Sequence, residues 1–247
     1  MSSMKACCTI PPVDSAYEPI GTVENVGSIE LPTYVVGPKD AKKAILVVYD
    51  IFGFHNNTKQ FCDVLAKHCG YKVVMPDFFR GKPYLPEDMG DMDRLMAWIG
   101  KVGTMEVIQP QVEVVRKWLQ EQGVAQGGLV GFCWGASICV KLTAIDSFFG
   151  GASLIHPSFV DNKDAEQAGA PLLVLPSQNE PDMTEYMAIL AKKPFGDKCA
   201  HQRFDDMHHG FAAARGDWDD ELNKKRATEA IQLTGNFFRN VLTTPSL

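Results

Sequence analysis

The sequence predicts a doubly wound α/β fold, in which helices cover both faces of a mostly parallel sheet. Continuous apolar runs of strand length indicate strands that are buried on both faces, and AILVVY at residues 44–49 is the clearest of them. Segments with helical spacing lie between these runs, and several end at a glycine. The chain of 247 residues shows no internal repeat or linker, so a single domain spanning 1–247 is expected.

Strands and helices are predicted to alternate after an irregular start. Residues 1–40 contain five prolines and are expected to form an N-terminal strap with one edge strand at 33–36. Further strands are expected at 44–49, 71–75, 128–131, 151–155, 172–175 and 199–204, which gives six or seven in all. Helices are expected at 58–69, 91–100, 106–122, 135–145, 184–191 and 219–241, with Pro110 in the first turn of the third.

Composition excludes several classes of protein. Apolar residues make up 45% of the chain and charged residues 22%, which is typical of a globular domain. The formal net charge of −6 argues against a protein that binds nucleic acid along a basic groove. The apolar runs are too short to span a membrane, and the N-terminus lacks the apolar core of a signal peptide. A cytoplasmic protein without a nucleic-acid or membrane partner is therefore expected.

The seven cysteines raise the question of which thiols are functional. An odd number of cysteines in a chain without an export signal favours reduced thiols over a disulfide framework. Cys62, His68 and Cys69 have helical spacing rather than the spacing of zinc ligands. No glycine-rich phosphate loop follows a strand. We therefore expect neither a bound metal nor a cofactor.

The segment GFCWG at residues 131–135 is the strongest candidate for a catalytic nucleophile. It has the pattern G-x-C-x-G and lies between a predicted strand and a predicted helix. A sharp strand-to-helix turn needs small flanking residues and places its central side chain beside the positive end of the helix. That environment favours a thiolate, so Cys133 is the predicted nucleophile. The alternative is a buried structural cysteine between two packing glycines.

A cysteine nucleophile needs a base. Where the nucleophile lies on a strand-to-helix turn of this kind, the nucleophile, the acid and the histidine follow one another in the chain, and the histidine lies in the loop after the last strand. Both His208 and His209 lie there, and His209 is favoured because the glycine that follows leaves its ring room to turn. The acid is expected after the strand at 172–175. Position favours Glu180, whereas side-chain type favours Asp182, and Glu180 is the preferred of the two.

The candidate residues resemble the dienelactone hydrolase family of the α/β-hydrolase group, over most of the chain from about residue 44 to residue 238. The resemblance rests on DIFG at 50–53, MPD at 75–77, the cysteine turn at 131–135 and HGF at 209–211. The segments HPSF at 156–159 and AAARGD at 212–217 are similar to the fungal and other eukaryotic branch. The resemblance implies a sheet of the α/β-hydrolase type and an ester or lactone substrate.

The resemblance also implies a role for each residue of the site. Cys133 is the implied nucleophile and His209 the implied base, and the acid position of the family, usually an aspartate, falls on Glu180. Backbone N–H groups of Trp134 and Ile51 are the implied oxyanion hole.

Two further positions concern activation of the thiol and recognition of the substrate. Where the family has a glutamate that takes the thiol proton, this chain has Asp50, which is one methylene shorter. The reference substrate of the family is an enol lactone with a carboxylate that is held by arginines. Arg80 and Arg215 are the candidates for that contact, and structural or surface ion pairs are the alternative for both.

The sequence supports two hypotheses of function. The first is a cysteine-dependent hydrolase of small ester or lactone substrates that works through a thioester. The second is a ligand-binding or sensing module on the same scaffold, motivated by the changed acid and by Asp50. A redox sensor that pairs Cys133 with Cys139 is a weaker idea, because the two do not face each other on one helix. His156 is equally compatible with a place in the site and with a structural role, and monomer and dimer stay open.

Overall fold

An eight-stranded sheet forms the centre of the structure, a computed structural model that describes residues 10–242. Cys7 and Cys8, and the first part of the predicted N-terminal strap, lie outside the described residues. The strands are β1 (Thr22–Val26), β2 (Leu31–Val36), β3 (Lys43–Val48), β4 (Lys72–Pro76), β5 (Gln126–Phe132), β6 (Phe149–Ile155), β7 (Leu172–Leu175) and β8 (Ala200–His201). The helices are α1 (Asn56–Cys69), α2 (Met92–Val102), α3 (Met105–Glu121), α4 (Gly135–Ile145), α5 (Asn162–Gln167), α6 (Thr184–Leu190) and α7 (Glu221–Val241).

The sheet is parallel except at one edge. Its strand order is β1-β2-β4-β3-β5-β6-β7-β8, and only the pairs β1–β2 and β2–β4 are antiparallel. Helices α1 and α7 pack together against one face, while α3, α4 and α5 pack on the other. The central strands are apolar on both sides because both faces are covered, and the predicted doubly wound α/β fold is confirmed.

The parallel arrangement places the carboxyl ends of β3, β5, β6 and β7 at one edge of the sheet. In open α/β sheets, ligand sites lie at this edge. The candidate catalytic residues follow these strand ends, so the topology gathers segments that are far apart in the chain.

None of the helices in residues 10–242 combines the length and apolar character needed to cross a membrane.

The N-terminal prediction is wrong for residues 22–32. The structure has a hairpin of β1 and β2 there, rather than an irregular strap with a single edge strand at 33–36. Four of the five β1 side chains are exposed, so this edge strand carries no apolar run that the sequence could display. Gly27 forms the turn at φ 67°, and a Cβ there would lie 2.2 Å from a Val114 side-chain atom of α3.

Two smaller predictions also differ from the structure. The strand expected at 199–204 pairs regularly only at Ala200–His201, with an isolated bridge between Ser177 and Phe204. Pro176 interrupts the ladder because it has no N–H to donate. The other difference is that Pro110 lies in the second turn of α3, not in the first. It therefore removes one helical hydrogen bond.

Candidate active site

The turn that carries Cys133 joins β5 directly to α4. Cys133 has φ 53°, a strained value for a residue with a side chain, and such strain concentrates at functional sites. A Cβ on Gly131 would lie 2.5 Å from the carbonyl oxygen of Gly135. A Cβ on Gly135 would lie 2.3 Å from the carbonyl oxygen of Val48. Both flanking residues must therefore be glycine for the turn to close.

The close approach at Gly135 also sets the geometry around Trp134 and Ile51. It packs the start of α4 against the carbonyls of Val48 and Tyr49. Tyr49 lies two residues before Ile51. The first N–H groups of a helix have no partner within the helix, and the N–H of Trp134 lies at this end. The two backbone groups implied as oxyanion hole thus come from adjoining ends of neighbouring segments.

The Trp134 side chain anchors the turn on its outer side. Its Nε1 donates a hydrogen bond to the carbonyl of Gly103 at 3.0 Å, and its ring packs on Phe79 with centroids 5.2 Å apart. A Cβ on Gly103 would lie 2.9 Å from that nitrogen, so the contact requires a glycine. The indole is buried, and this bond satisfies its single polar group.

His209 bridges Cys133 and Glu180. Its Nδ1 lies 2.6 Å from Oε1 of Glu180, and both side chains are fully buried. The other side of the ring makes a hydrogen bond with the Cys133 side chain. Since Nδ1 is held by Glu180, the nitrogen that faces sulfur is Nε2. The structure therefore brings together the three residues that the sequence predicts as nucleophile, base and acid.

Glu180, rather than Asp182, contacts the histidine. The second oxygen of Glu180 accepts a hydrogen bond from the backbone N–H of Ser177. Asp182 is exposed and accepts hydrogen bonds from the backbone and hydroxyl of Thr184 at the start of α6. The alternative that the sequence left open is thus decided by which carboxylate turns inward.

Two polar residues that the sequence analysis did not identify hold this loop. Arg203 donates to the carbonyls of Ser177 and Glu180, and Asn179 accepts a hydrogen bond from the backbone N–H of His209 at 2.8 Å. These bonds fix the acid loop to the histidine loop. Their partners are backbone groups, which leave no motif in the sequence.

The surroundings favour the charged form of His209. Burial lowers the pKa of His209, but the Cys133 thiolate and then Glu180 outweigh it and raise the pKa to about 9. An imidazolium between two anions is the arrangement that a cysteine nucleophile needs, because the sulfur is reactive as a thiolate. The site is thus electrostatically set for a thiolate–imidazolium pair.

Asp50 and Arg215 are buried and interact electrostatically near the loop that carries His209. Asp50 accepts hydrogen bonds from the backbone N–H groups of Phe52 at 2.9 Å and Ala214 at 3.3 Å. It thereby ties the segment after β3 to the loop that carries His209. Burial raises the pKa of Asp50, and the positive charge of Arg215 opposes this. The Arg215 guanidinium lies 4.8 Å from the centroid of the Phe52 ring, and its Nε donates to the backbone carbonyl of Ile10.

Arg80 points to the N-terminal hairpin. Its guanidinium donates to the carbonyls of Ile29 at 3.2 Å and of Glu30 at 3.1 Å, in the turn between β1 and β2. Arg80 itself has φ 53°, a strained backbone conformation for a residue with a side chain. These bonds give Arg80 a place in anchoring the hairpin.

The reactive groups are enclosed. Cys133 is 1% exposed and His209 is 0% exposed. A surface cavity of about 600 Å³ over α7 is lined by residues of that helix and includes no triad residue. Cys133 and His209 are thus almost completely buried. No cluster of three His, Cys, Asp or Glu side chains suited to a metal ion occurs in residues 10–242.

Comparisons with known proteins show the family of the chain. The sequence model of the dienelactone hydrolase family matches residues 31–242. The chain belongs to the dienelactone hydrolase family. It is 31% identical over 242 residues to an "Uncharacterized AIM2 family protein" of Schizosaccharomyces pombe, with 89% of this chain and 90% of the relative aligned. It is also 35% identical over 147 residues to a carboxymethylenebutenolidase homolog of Mus musculus, with 58% of each chain aligned.

Solved structures show the same fold. An esterase of Pyrococcus furiosus matches with a TM-score of 0.62 at 13% identity, covering 94% of this chain and 99% of that chain. At this identity the likeness concerns the fold alone. Membership of the dienelactone hydrolase family, which the motifs at residues 50–53, 131–135 and 209–211 predicted, is confirmed.

Proposed function

We propose that this member of the dienelactone hydrolase family is a cysteine-dependent hydrolase of small ester or lactone substrates. The observation that carries the proposal is the buried His209, hydrogen-bonded to Cys133 on one side and 2.6 Å from Glu180 on the other. The family match and the relative named a carboxymethylenebutenolidase homolog support hydrolysis of a carboxylic ester or lactone. No cofactor enters the mechanism.

The first half of the reaction forms a thioester. The Cys133 thiolate attacks the substrate carbonyl, and the N–H groups of Trp134 and Ile51 stabilise the oxyanion that forms. When the carbon–oxygen bond of the ester breaks, the leaving oxygen takes the proton from Nε2 of the His209 imidazolium. The acyl group is then bound to sulfur and His209 is neutral.

The second half uses the same histidine as a base. Once sulfur is acylated, its negative charge no longer raises the pKa of His209, and burial lowers that pKa. Neutral His209 takes a proton from water, and the hydroxide adds to the thioester carbonyl. Collapse of the intermediate breaks the carbon–sulfur bond, returns the electron pair to Cys133 and releases the acid. The thiolate–imidazolium pair is restored.

The substrates we propose are activated and uncharged at the acyl group. A thiolate is displaced more easily than an alkoxide, so good leaving groups such as enols and phenols suit this site. The two arginines that could bind a carboxylate are engaged elsewhere. Arg80 bonds the hairpin carbonyls, and Arg215 lies beside Asp50 and bonds Ile10. A carboxylate on the substrate would therefore gain little from either side chain.

Asp50 serves this mechanism by position. Its carboxylate oxygens accept from the backbone of Phe52 and Ala214, so it fixes the oxyanion segment relative to the histidine loop. The thiol proton has a direct acceptor in His209, whose ring is hydrogen-bonded to the sulfur. We therefore propose that His209 activates the thiol and that Asp50 holds the two segments together.

Intact-mass measurement after mixing with p-nitrophenyl acetate tests the proposal. The wild-type protein should gain the mass of one acetyl group on Cys133 and release p-nitrophenol in a burst, and Cys133→Ala should do neither. Cys139→Ala, in the helix that follows Cys133, is the matched control and should behave as the wild type. A ligand-binding module without turnover would bind the ester and gain no mass, and that result would overturn the proposal.

A further inference from the structure

His156 lies directly beside the catalytic histidine. It follows β6, is fully buried, and its ring meets the His209 ring edge-to-face with centroids 4.9 Å apart and planes at 70°. The backbone on either side of His156 contacts Cys133. The Ile155 carbonyl accepts a hydrogen bond from the N–H of Cys133, and the Ser158 N–H donates one to the carbonyl of Cys133. The segment 155–158 therefore touches both reacting residues.

The His156 ring is itself rigidly placed. It stacks on Phe132 with centroids 5.6 Å apart and planes at 29°, and it meets Phe211 edge-to-face at 5.9 Å. Its backbone N–H donates to the carbonyl of Leu175 at 2.8 Å, which extends the sheet by one residue. The ring is thus clamped between neighbours and does not depend on polar contacts for its position.

Two features of His156 are costly unless they serve the site. Its φ of 40° is strained for a residue with a side chain. Neither Nδ1 nor Nε2 has a hydrogen-bond partner on another described residue, although the ring is buried. Backbone strain of this kind clusters at functional sites, and the unpaired nitrogens mean that ring packing rather than hydrogen bonding holds the side chain.

His209 needs a second contact that its hydrogen bond to Glu180 cannot supply. When sulfur is acylated and its hydrogen bond to Nε2 is lost, the bond at Nδ1 alone fixes one point of the imidazole and leaves the ring free to swing, which would carry Nε2 away from sulfur. We infer that His156 is a positioning residue: its ring is the wall that stops this swing and keeps Nε2 of His209 directed at Cys133. The inference rests on the proposed triad mechanism.

The wall works because His156 stays neutral. Burial, followed by the charges of His209, Arg215 and His208, lowers its pKa far below the ordinary value. A second imidazolium at this position would be repelled by His209 and Arg215. A neutral aromatic ring packs against the charged His209 without competing for its proton.

The experiment compares His156→Ala, which removes the wall, with His156→Phe, which keeps a flat ring and removes both nitrogens. Each is assayed with p-nitrophenyl acetate for kcat, KM and the thiolate absorbance of Cys133 at neutral pH. His201→Ala, which removes an exposed histidine on β8, is the control. His156→Ala should lower kcat by about 10- to 100-fold with little change in KM, and should lower the thiolate signal. The phenylalanine variant should recover kcat to within about 5-fold of the wild type.

The outcomes separate this inference from the mechanism on which it rests. Absence of an acyl-enzyme in the wild type would overturn the proposed function. With the wild type active, a folded His156→Phe as impaired as His156→Ala would show that the nitrogens matter and overturn the wall. An unchanged kcat and thiolate signal in folded His156→Ala would overturn it as well. If the alanine variant does not fold, activity in His156→Phe supports the wall and its loss refutes it.

Discussion

Replacing Glu180 by glutamine tests how the triad controls the charge of His209. Glutamine keeps an oxygen that can accept from Nδ1 but removes the negative charge. The rise of the His209 pKa from 6.5 to about 9 corresponds to about 3 kcal/mol in favour of the imidazolium. Cys133 is the larger cause of that preference, so we assign less than half of it, about 1 kcal/mol, to Glu180.

Two kinetic consequences follow for Glu180→Gln. In the wild type, the burst of acylation should fall as pH rises through about 9, because the imidazolium that protonates the leaving group is lost. The variant should lose the burst roughly one pH unit lower. Its kcat at neutral pH should drop by about 10²- to 10⁴-fold, because the amide of glutamine also favours the wrong tautomer of the ring.

Stopped-flow release of phenol from phenyl acetate, whose leaving oxygen needs a proton, measures both effects as a function of pH. Asp182→Asn is the matched control, since Asp182 lies two residues away but is exposed and bonds Thr184. It should keep the wild-type burst and pH profile. A Glu180→Gln enzyme within about twofold of the wild type, or an equal loss in Asp182→Asn, would refute the assignment of the acid.

Three further predictions concern the turn, a helix and the substrate. Gly135→Ala should lower the free energy of unfolding by about 3 kcal/mol or more, because its Cβ would lie 2.3 Å from the Val48 carbonyl oxygen. In the same urea titration the control Gly100→Ala, which has open space around it, should be neutral or slightly stabilising. Pro110→Ala should raise the free energy of unfolding by about 1–2 kcal/mol, because it restores a helical hydrogen bond, and an unchanged urea midpoint would contradict this. Arg80→Gln should change kcat/KM by less than about twofold for both neutral and carboxylate-bearing aryl esters, and a selective loss on the anionic ester would return Arg80 to the substrate site.

Short-range sequence patterns predicted much of the fold. The run at residues 44–49 needed burial on both faces, and Gly70 ends α1 at φ 70° as the sequence indicates. Strand β7 has the predicted bounds, Leu172–Leu175. Strand β1 was not predicted, because the side chains of this exposed edge strand show no apolar run or alternation.

The sequence by itself determined the glycine-flanked turn at Cys133 and the family, because G-x-C-x-G between a strand and a helix is a short-range pattern whose glycines have a steric cause. Only the tertiary structure decided between Glu180 and Asp182. Both lie in one loop, and the choice depends on the approach of His209 from 29 residues away and on backbone bonds from Arg203. The place of His156 was decided in the same way. Its role comes from a ring contact across strand ends, and contacts between distant segments leave no spacing that a sequence can show.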